Sequence, residues 1–267
     1  MPREGTGPDF IEALARGLEV IAAFGRDRPA MSLTEVAAAT GLARPTARRI
    51  LLTLQELGYV RALERGFTLT PRVLELGVAH VAATGLWDVA RPHLEELSRR
   101  TGESCSIAQL DGPDVVYVAR VAVPRIVTLA ATVGTRFPAL ATSLGKVLLA
   151  ALDEAEVEAL LAQPSRSGVE PRWHPDAAER RAALREVRER GWAVTDEQLA
   201  LGIRSVAVPL RGADGEVVAA VNVNAHAAET SLERLLSEHL PVLREAGEAI
   251  SADFARRGSL PEVVRPS

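Results

Sequence analysis

Cysteine is nearly absent from this chain, with Cys105 standing alone. That excludes an intramolecular disulfide framework and a cysteine zinc site, and fits a reducing compartment. Lysine is as scarce, Lys146 against 30 arginines, a skew that reads as high-GC coding bias. A lone lysine invites comparison with Schiff-base lysines; a structural ion pair on a helix is the preferred reading. Cys105, between Ser104 and Ser106, is read as a small core residue rather than a redox sensor. No run of 18 or more apolar residues occurs, and the opening MPREGTGPDF carries no basic-then-apolar leader, so no membrane contact and a cytoplasmic location are expected. His80, His93, His174, His226 and His239 lack metal-ligand spacing, and no GxGxxG or GxxxxGK[ST] loop is found. No metal, no cofactor and no catalytic residue is expected.

What is present is a soluble-protein composition, 47% hydrophobic and 25% charged over 267 residues, long enough for two domains. The net charge of −4 argues against a nucleic-acid binder. Local counting reverses that: residues 43–72 hold six arginines against Glu56 and Glu64, a basic module joined to an acidic remainder.

The basic module reads as a winged helix-turn-helix. Ser32 and Glu35 form a capping box ahead of Leu33, Val36 and Ala37, and Gly41 permits a sharp turn. A second helix opens at Arg44-Pro45 and buries Ala47, Ile50, Leu51 and Leu54. Arg44, Pro45, Thr46, Arg48 and Arg49 then occupy the half of a recognition helix that enters the major groove. Strands 59–61 and 67–69 around Glu64-Arg65-Gly66 make the wing, with Arg65 at its tip. Three arginines alone would be an ordinary solvated face; the order of helix, glycine turn, basic helix and hairpin points to duplex DNA. A preceding helix, 10–24, is expected to place Leu14, Leu18 and Ile21 in the core and to add an inter-subunit contact.

Beyond the wing a connector helix is expected over 72–83, then a helix over 87–100. Strands are expected at 104–110, 115–122 and 126–132, a loop at 134–138, helices at 143–152, 154–162 and 176–189, strands at 192–195, 205–210 and 217–224, and one long amphipathic helix at 231–255. Periodicity gives an α+β domain of the small-molecule-sensor kind. The expected division is 9–70 for DNA binding, 71–86 for the linker and 87–256 for the sensor.

The segments FIEALARGLEVIAAF, FTLTPRVLELG, VGTRFPALATSLGKVLLA, DEQLALGIRSVAVPL and AAVNVNAHA together resemble the IclR family of bacterial transcriptional regulators over residues 9–255. LARGLEVIAAF and GYVRALERGFTLTPRVLELG are most similar to the PcaR/PcaU/PobR branch, regulators of aromatic-acid and β-ketoadipate catabolism. The resemblance implies a winged helix-turn-helix, a linker helix and a GAF-like effector-binding domain, with homodimers or dimers of dimers on palindromic double-stranded operators.

It also implies an effector pocket formed by Phe137, Ser143, Leu144, Thr195, Asp196, Ser205, Asn222 and Asn224. Ser143 lies at a helix start, where backbone N–H groups attract a carboxylate; Asn222 and Asn224 share a strand face with Val218 and Ala220. Such amides on a solvated face would need no ligand, but asparagine is poorly suited to strands and pockets mix apolar walls with a few polar groups. Amide-bearing positions fit an aromatic acid or a ring-cleavage dicarboxylate better than a two- or three-carbon acid. The alternatives are a ligand-independent structural DNA-binding protein and, further off, an enzyme with an accessory DNA-binding domain; the second lacks a nucleophile–base pair.

Overall fold

The computed structural model describes residues 7–25, 27–77, 85–124 and 131–257, and the chain divides into two units, Met1–His80 and Val81–Ser267. The first contains α1 (Glu12–Ala22), β1 (Ala30–Met31), α2 (Leu33–Thr40), α3 (Arg44–Glu56), β2 (Val60–Leu63) and β3 (Gly66–Leu69). The capping box forms as the sequence requires: the Glu35 amide donates to Ser32 Oγ, and the Glu35 carboxylate accepts from the Ser32 amide at 2.7 Å. Those bonds favour the charged carboxylate and lower its pKa. Gly41 ends α2 at φ 66° and Pro45 sits in the first turn of α3. Val20, Phe24, Val36, Ala47, Leu51 and Leu54 pack as one core with Met31 and Val60; burying a leucine such as Leu51 is worth about 1.5–3 kcal/mol.

Two expectations for this unit are corrected. Leu14 and Leu18 are 61% and 53% exposed, because the core contacts of this segment are made by Val20 of α1 and by Phe24 just beyond its end, with Ile21 at the margin. The wing also gains β1, paired with β3 through Ala30–Thr68 and Met31–Phe67; two residues are too few for alternation to reveal. Gly66 admits that strand. It holds φ 134°, and a Cβ there would lie 2.5 Å from the Met31 carbonyl oxygen. After β3, Thr70 caps a 3-10 turn, Pro71–Val73, and helix continues over 74–77. The rest of the expected connector lies outside the described residues.

The second unit contains α4 (Leu86–Thr101), β4 (Ser104–Asp111), β5 (Asp114–Val121), β6 (Arg136–Pro138), α5 (Ser143–Ala150), α6 (Glu154–Leu161), α7 (Ala177–Arg190), β7 (Ala193–Asp196), β8 (Ile203–Arg211) and β9 (Val217–His226). A turn Leu232–Arg234, a π turn Leu235–His239 and α8 (Leu240–Arg257) follow, so the expected single C-terminal helix is interrupted. The strands form one antiparallel sheet in the order β6-β5-β4-β9-β8-β7. Of the strand expected at 126–132, residues 126–130 lie outside the described set. The edge strand beside β5 is instead Arg136–Pro138, inside the stretch expected as a loop.

The sheet has two differently built faces. Cys105, Ile107, Val206, Val208, Val221 and Val223 meet α4 and α8, a continuous apolar layer. Ala108, Ala207 and Ala220 meet Leu144, Val147 and Leu149 of α5, and their small side chains let α5 lie close. Toward one end this second face turns polar.

Candidate nucleic-acid interface and ligand recess

In α3 the apolar positions Ala47, Leu51 and Leu54 are buried, which fixes the rotation of the helix. Arg44, Pro45, Arg48 and Arg49 are exposed, Thr46 is half-buried, and Arg65 is exposed in the turn between β2 and β3. No ion pair among the described residues involves these four arginines, which leaves their full donor capacity for phosphates and base edges.

The polar end of the second unit's sheet forms a small recess lined by Tyr117, Ala141, Thr142, Thr195, Leu199, Ile203, Ser205, Asn222 and Asn224, its cavity volume about 10 Å³. Strand register explains the convergence. Ser205 on β8 opposes both Thr195 on β7 and Asn224 on β9, and Asn222 opposes Ser106 on β4. Ser205 Oγ lies 2.7 Å from Ser143 Oγ and 2.8 Å from Thr195 Oγ1, so three buried hydroxyls make one hydrogen-bonded chain. Asn224 Nδ2 donates to Asn222 Oδ1 at 3.1 Å. At the start of α5, Thr142 Oγ1 accepts from the Gly145 amide at 2.9 Å.

Of the positions expected in the pocket, Thr195, Ser205, Asn222 and Asn224 line the recess, and Ser143 reaches it through Ser205. Leu144 is fully buried in the core beneath it. Phe137 packs edge-on against Tyr117, ring centroids 5.5 Å apart, and so supports the wall from behind. Asp196 is not brought in. Alternation along β7 places it on the other side from Thr195, exposed and paired with Arg204.

Two residues that sequence reasoning passed over face the recess side of the sheet, Tyr117 in the lining and Arg120 beside it, and both depend on a β-bulge. Ile107 opposes Ala119 while Ala108 opposes Tyr117, which leaves Val118 as an extra residue in β5. Val118 and Ala119 consequently both pack on the apolar face, and Tyr117 and Arg120, three apart, share the recess side. Strict alternation sets them on opposite faces; a bulge re-aims them. Tyr117 is fully buried, and burial raises its phenol pKa against the opposing pull of nearby Arg120, Asn224 and Asn222. Arg120 Nη1 donates to Ser106 Oγ at 2.8 Å. A matching bulge at Val218, between Leu210 and Arg211 of β8, turns that valine to the apolar face; of the two apolar residues expected beside the asparagines, only Ala220 is there.

The loop between β7 and β8 supplies Leu199, and Lys146 holds it. The Lys146 ammonium donates to Gln198 Oε1 and lies 4.2 Å from the centre of the Trp173 ring; these contacts replace the expected ion pair. Burial lowers its pKa to about 8, with Arg190 adding to the shift. Cys105 lies on the opposite face of the sheet, its thiol pushed up to about 12 by burial, and thiolate chemistry is thereby suppressed. Among the described residues no helix is long and apolar enough to cross a membrane and no histidine, cysteine and carboxylate cluster could hold a metal ion.

Comparison with known proteins gives two family matches, the IclR helix-turn-helix domain over residues 13–64 and the bacterial transcriptional regulator IclR C-terminal domain over 78–252. The Pca regulon regulatory protein of Pseudomonas putida is 38% identical over 90% of this chain and 82% of its own length. The p-hydroxybenzoate hydroxylase transcriptional activator of Acinetobacter baylyi is 35% identical over 91% of each chain. Among solved structures, an IclR homolog from Microbacterium hydrocarbonoxydans complexed with 4-hydroxybenzoate superposes with a TM-score of 0.78 at 28% identity, covering 92% of this chain and all of that one.

Proposed function

The chain belongs to the IclR family of bacterial transcriptional regulators, and from that premise we propose that a small organic acid, held in the recess of the second unit, controls its action on DNA. Within the family it stands with the Pca and p-hydroxybenzoate regulators, and it is a DNA-binding regulator of transcription. The carrying observation for the effector is the polar cluster of buried Thr195, Ser205 and Asn222 with half-buried Asn224, converging at one end of the sheet. Buried polar groups are kept when they have work to do, because leaving them unpaired costs about 1–3 kcal/mol each. An aromatic acid or a β-ketoadipate-pathway metabolite suits the site: apolar Leu199 and Ile203 face a ring or chain, and the polar groups meet its ends. The relative bound to 4-hydroxybenzoate and the two aromatic-pathway regulators support that class.

The reading extends to assembly and location. Two copies, or a dimer of dimers, present α3 to half-sites of a palindromic operator about 34–36 Å apart or a multiple of that, joined through the exposed apolar face of α1. The protein works in the cytoplasm, where its operators are.

Two measurements test this. Operator binding followed by fluorescence anisotropy should weaken by about 1–3 kcal/mol for each of Arg44, Arg48 or Arg49 whose base contact is removed by alanine. An arginine on phosphate should instead lower affinity on every sequence and reduce the salt slope by about one unit. An Arg44/Arg48/Arg49 triple alanine variant with unchanged affinity and slope overturns the groove assignment. For the effector, calorimetry with 4-hydroxybenzoate, protocatechuate and β-ketoadipate should find an acid that wild type binds. Asn222→Ala or Asn224→Ala should then need roughly 5- to 150-fold more of it, with operator affinity in its absence unchanged. Equal effector affinity in all three proteins removes the asparagines from the site.

A further inference from the structure

We infer that Arg120 is the counter-ion of the effector's carboxylate, and that the acid lies with its charged end toward β5 and its neutral polar end at the hydroxyl chain. This rests on the proposed function and goes beyond it by assigning orientation and the residue that selects for charge. Arg120 reaches the recess side only because of the bulge at Val118, and its guanidinium is held by one bond, from Nη1 to Ser106 Oγ. Its Nε is buried without a hydrogen-bond partner, and none of the ion pairs among the described residues includes it.

A guanidinium offers five donors in a planar fork. One donor used, one buried and unmatched, and no anion opposite describe a group lacking its partner; a carboxylate supplies a full negative charge and two acceptor oxygens in the geometry that fork fits. Ser106 opposes Asn222 across β4 and β9, so Arg120 is separated from the Asn222 wall by β4 alone and lies on the same strand as the recess-lining Tyr117.

The competing anchor is the start of α5 at Ser143. A helix start carries about half an elementary charge, and here part of it is already spent, since the Gly145 amide is capped by Thr142 Oγ1. Ser143, Ser205 and Thr195 are neutral hydroxyls bonded to one another, which suits a hydroxyl or keto oxygen. A full, unpaired charge at one end and neutral hydroxyls at the other orient the acid toward Arg120.

The test uses the full chain and two probes of nearly the same shape, one anionic and one neutral, 4-hydroxybenzoate and 4-hydroxybenzamide, with β-ketoadipate and its diamide as a second pair. Wild type should bind one of the acids and prefer it to its amide by at least tenfold. Arg120→Gln should lower affinity for that acid about 10- to 150-fold and bring acid and amide together, with thermal unfolding and operator affinity unchanged. Arg120→Lys, which keeps the charge and loses the fork, should recover part of the preference. Wild-type binding of acid and amide with equal affinity overturns the inference without any variant. So does an Arg120→Gln protein that retains the preference, and either result leaves the proposed effector site standing. If wild type binds none of the four compounds, both readings fall.

Discussion

Gly145→Ala should unfold the second unit or leave it severely weakened while the first unit still melts and binds as before. A Cβ at this position would lie 2.0 Å from the Ala139 carbonyl oxygen and 2.4 Å from its carbonyl carbon. Both are backbone atoms of the 3-10 turn Ala139–Ala141 that crosses the start of α5, so no side-chain rotation relieves the overlap. Gly145 lies inside a helix whose residues are all buried, and α5 cannot withdraw without opening the core it shares with Ala108, Ala207 and Ala220. Overpacking ordinarily costs about 1–3 kcal/mol; with backbone on both sides the cost should exceed about 3 kcal/mol. Differential scanning calorimetry should show one transition lost or shifted down strongly, and effector binding lost with it. An unshifted thermogram would mean that the turn and the helix are not locked together.

The other large effect concerns α1. A Leu14→Asp/Leu18→Asp double variant should be monomeric at micromolar concentration by light scattering, and its operator affinity should fall by about 10²–10⁴-fold, the advantage of linking two half-site contacts. Stability of the monomeric unit should change little, since both side chains are already exposed while Val20 and Phe24 hold the core. That separation distinguishes an assembly defect from misfolding. A double variant that still associates and binds operator like wild type would place the contact elsewhere.

The DNA-binding unit was legible because its signals are local. Ser32 with Glu35, Gly41 and Pro45 each act within a turn or two of the chain, and the structure returns the same cap, turn and helix start. Which apolar residues of α1 and the chain just after it face inward was not legible: Leu14, Leu18, Val20 and Phe24 all look alike in sequence, and tertiary packing chose the last two. In the second unit the strands and helices follow periodicity, whereas β6 is too short to announce itself. The lining of the recess was half legible. Asn222, Asn224, Ser205 and Thr195 obey simple alternation across neighbouring strands; the same alternation sets Asp196 outside the lining. Tyr117 and Arg120 were hidden because one extra residue, Val118, breaks the period of two, and the only signal was an arginine inside an otherwise apolar strand.

The hydroxyl chain Ser143–Ser205–Thr195 has a property that its heavy-atom positions conceal. Each hydroxyl both donates and accepts, so its three protons can all point one way or all the other without any atom heavier than hydrogen moving. A ligand group that gives a proton sets one direction, and one that takes a proton sets the reverse. The hydroxyl chain therefore imposes no hydrogen-bond polarity of its own: an oxygen brought to that end of the recess can be met by a donor or by an acceptor without any rearrangement of the protein's heavy atoms.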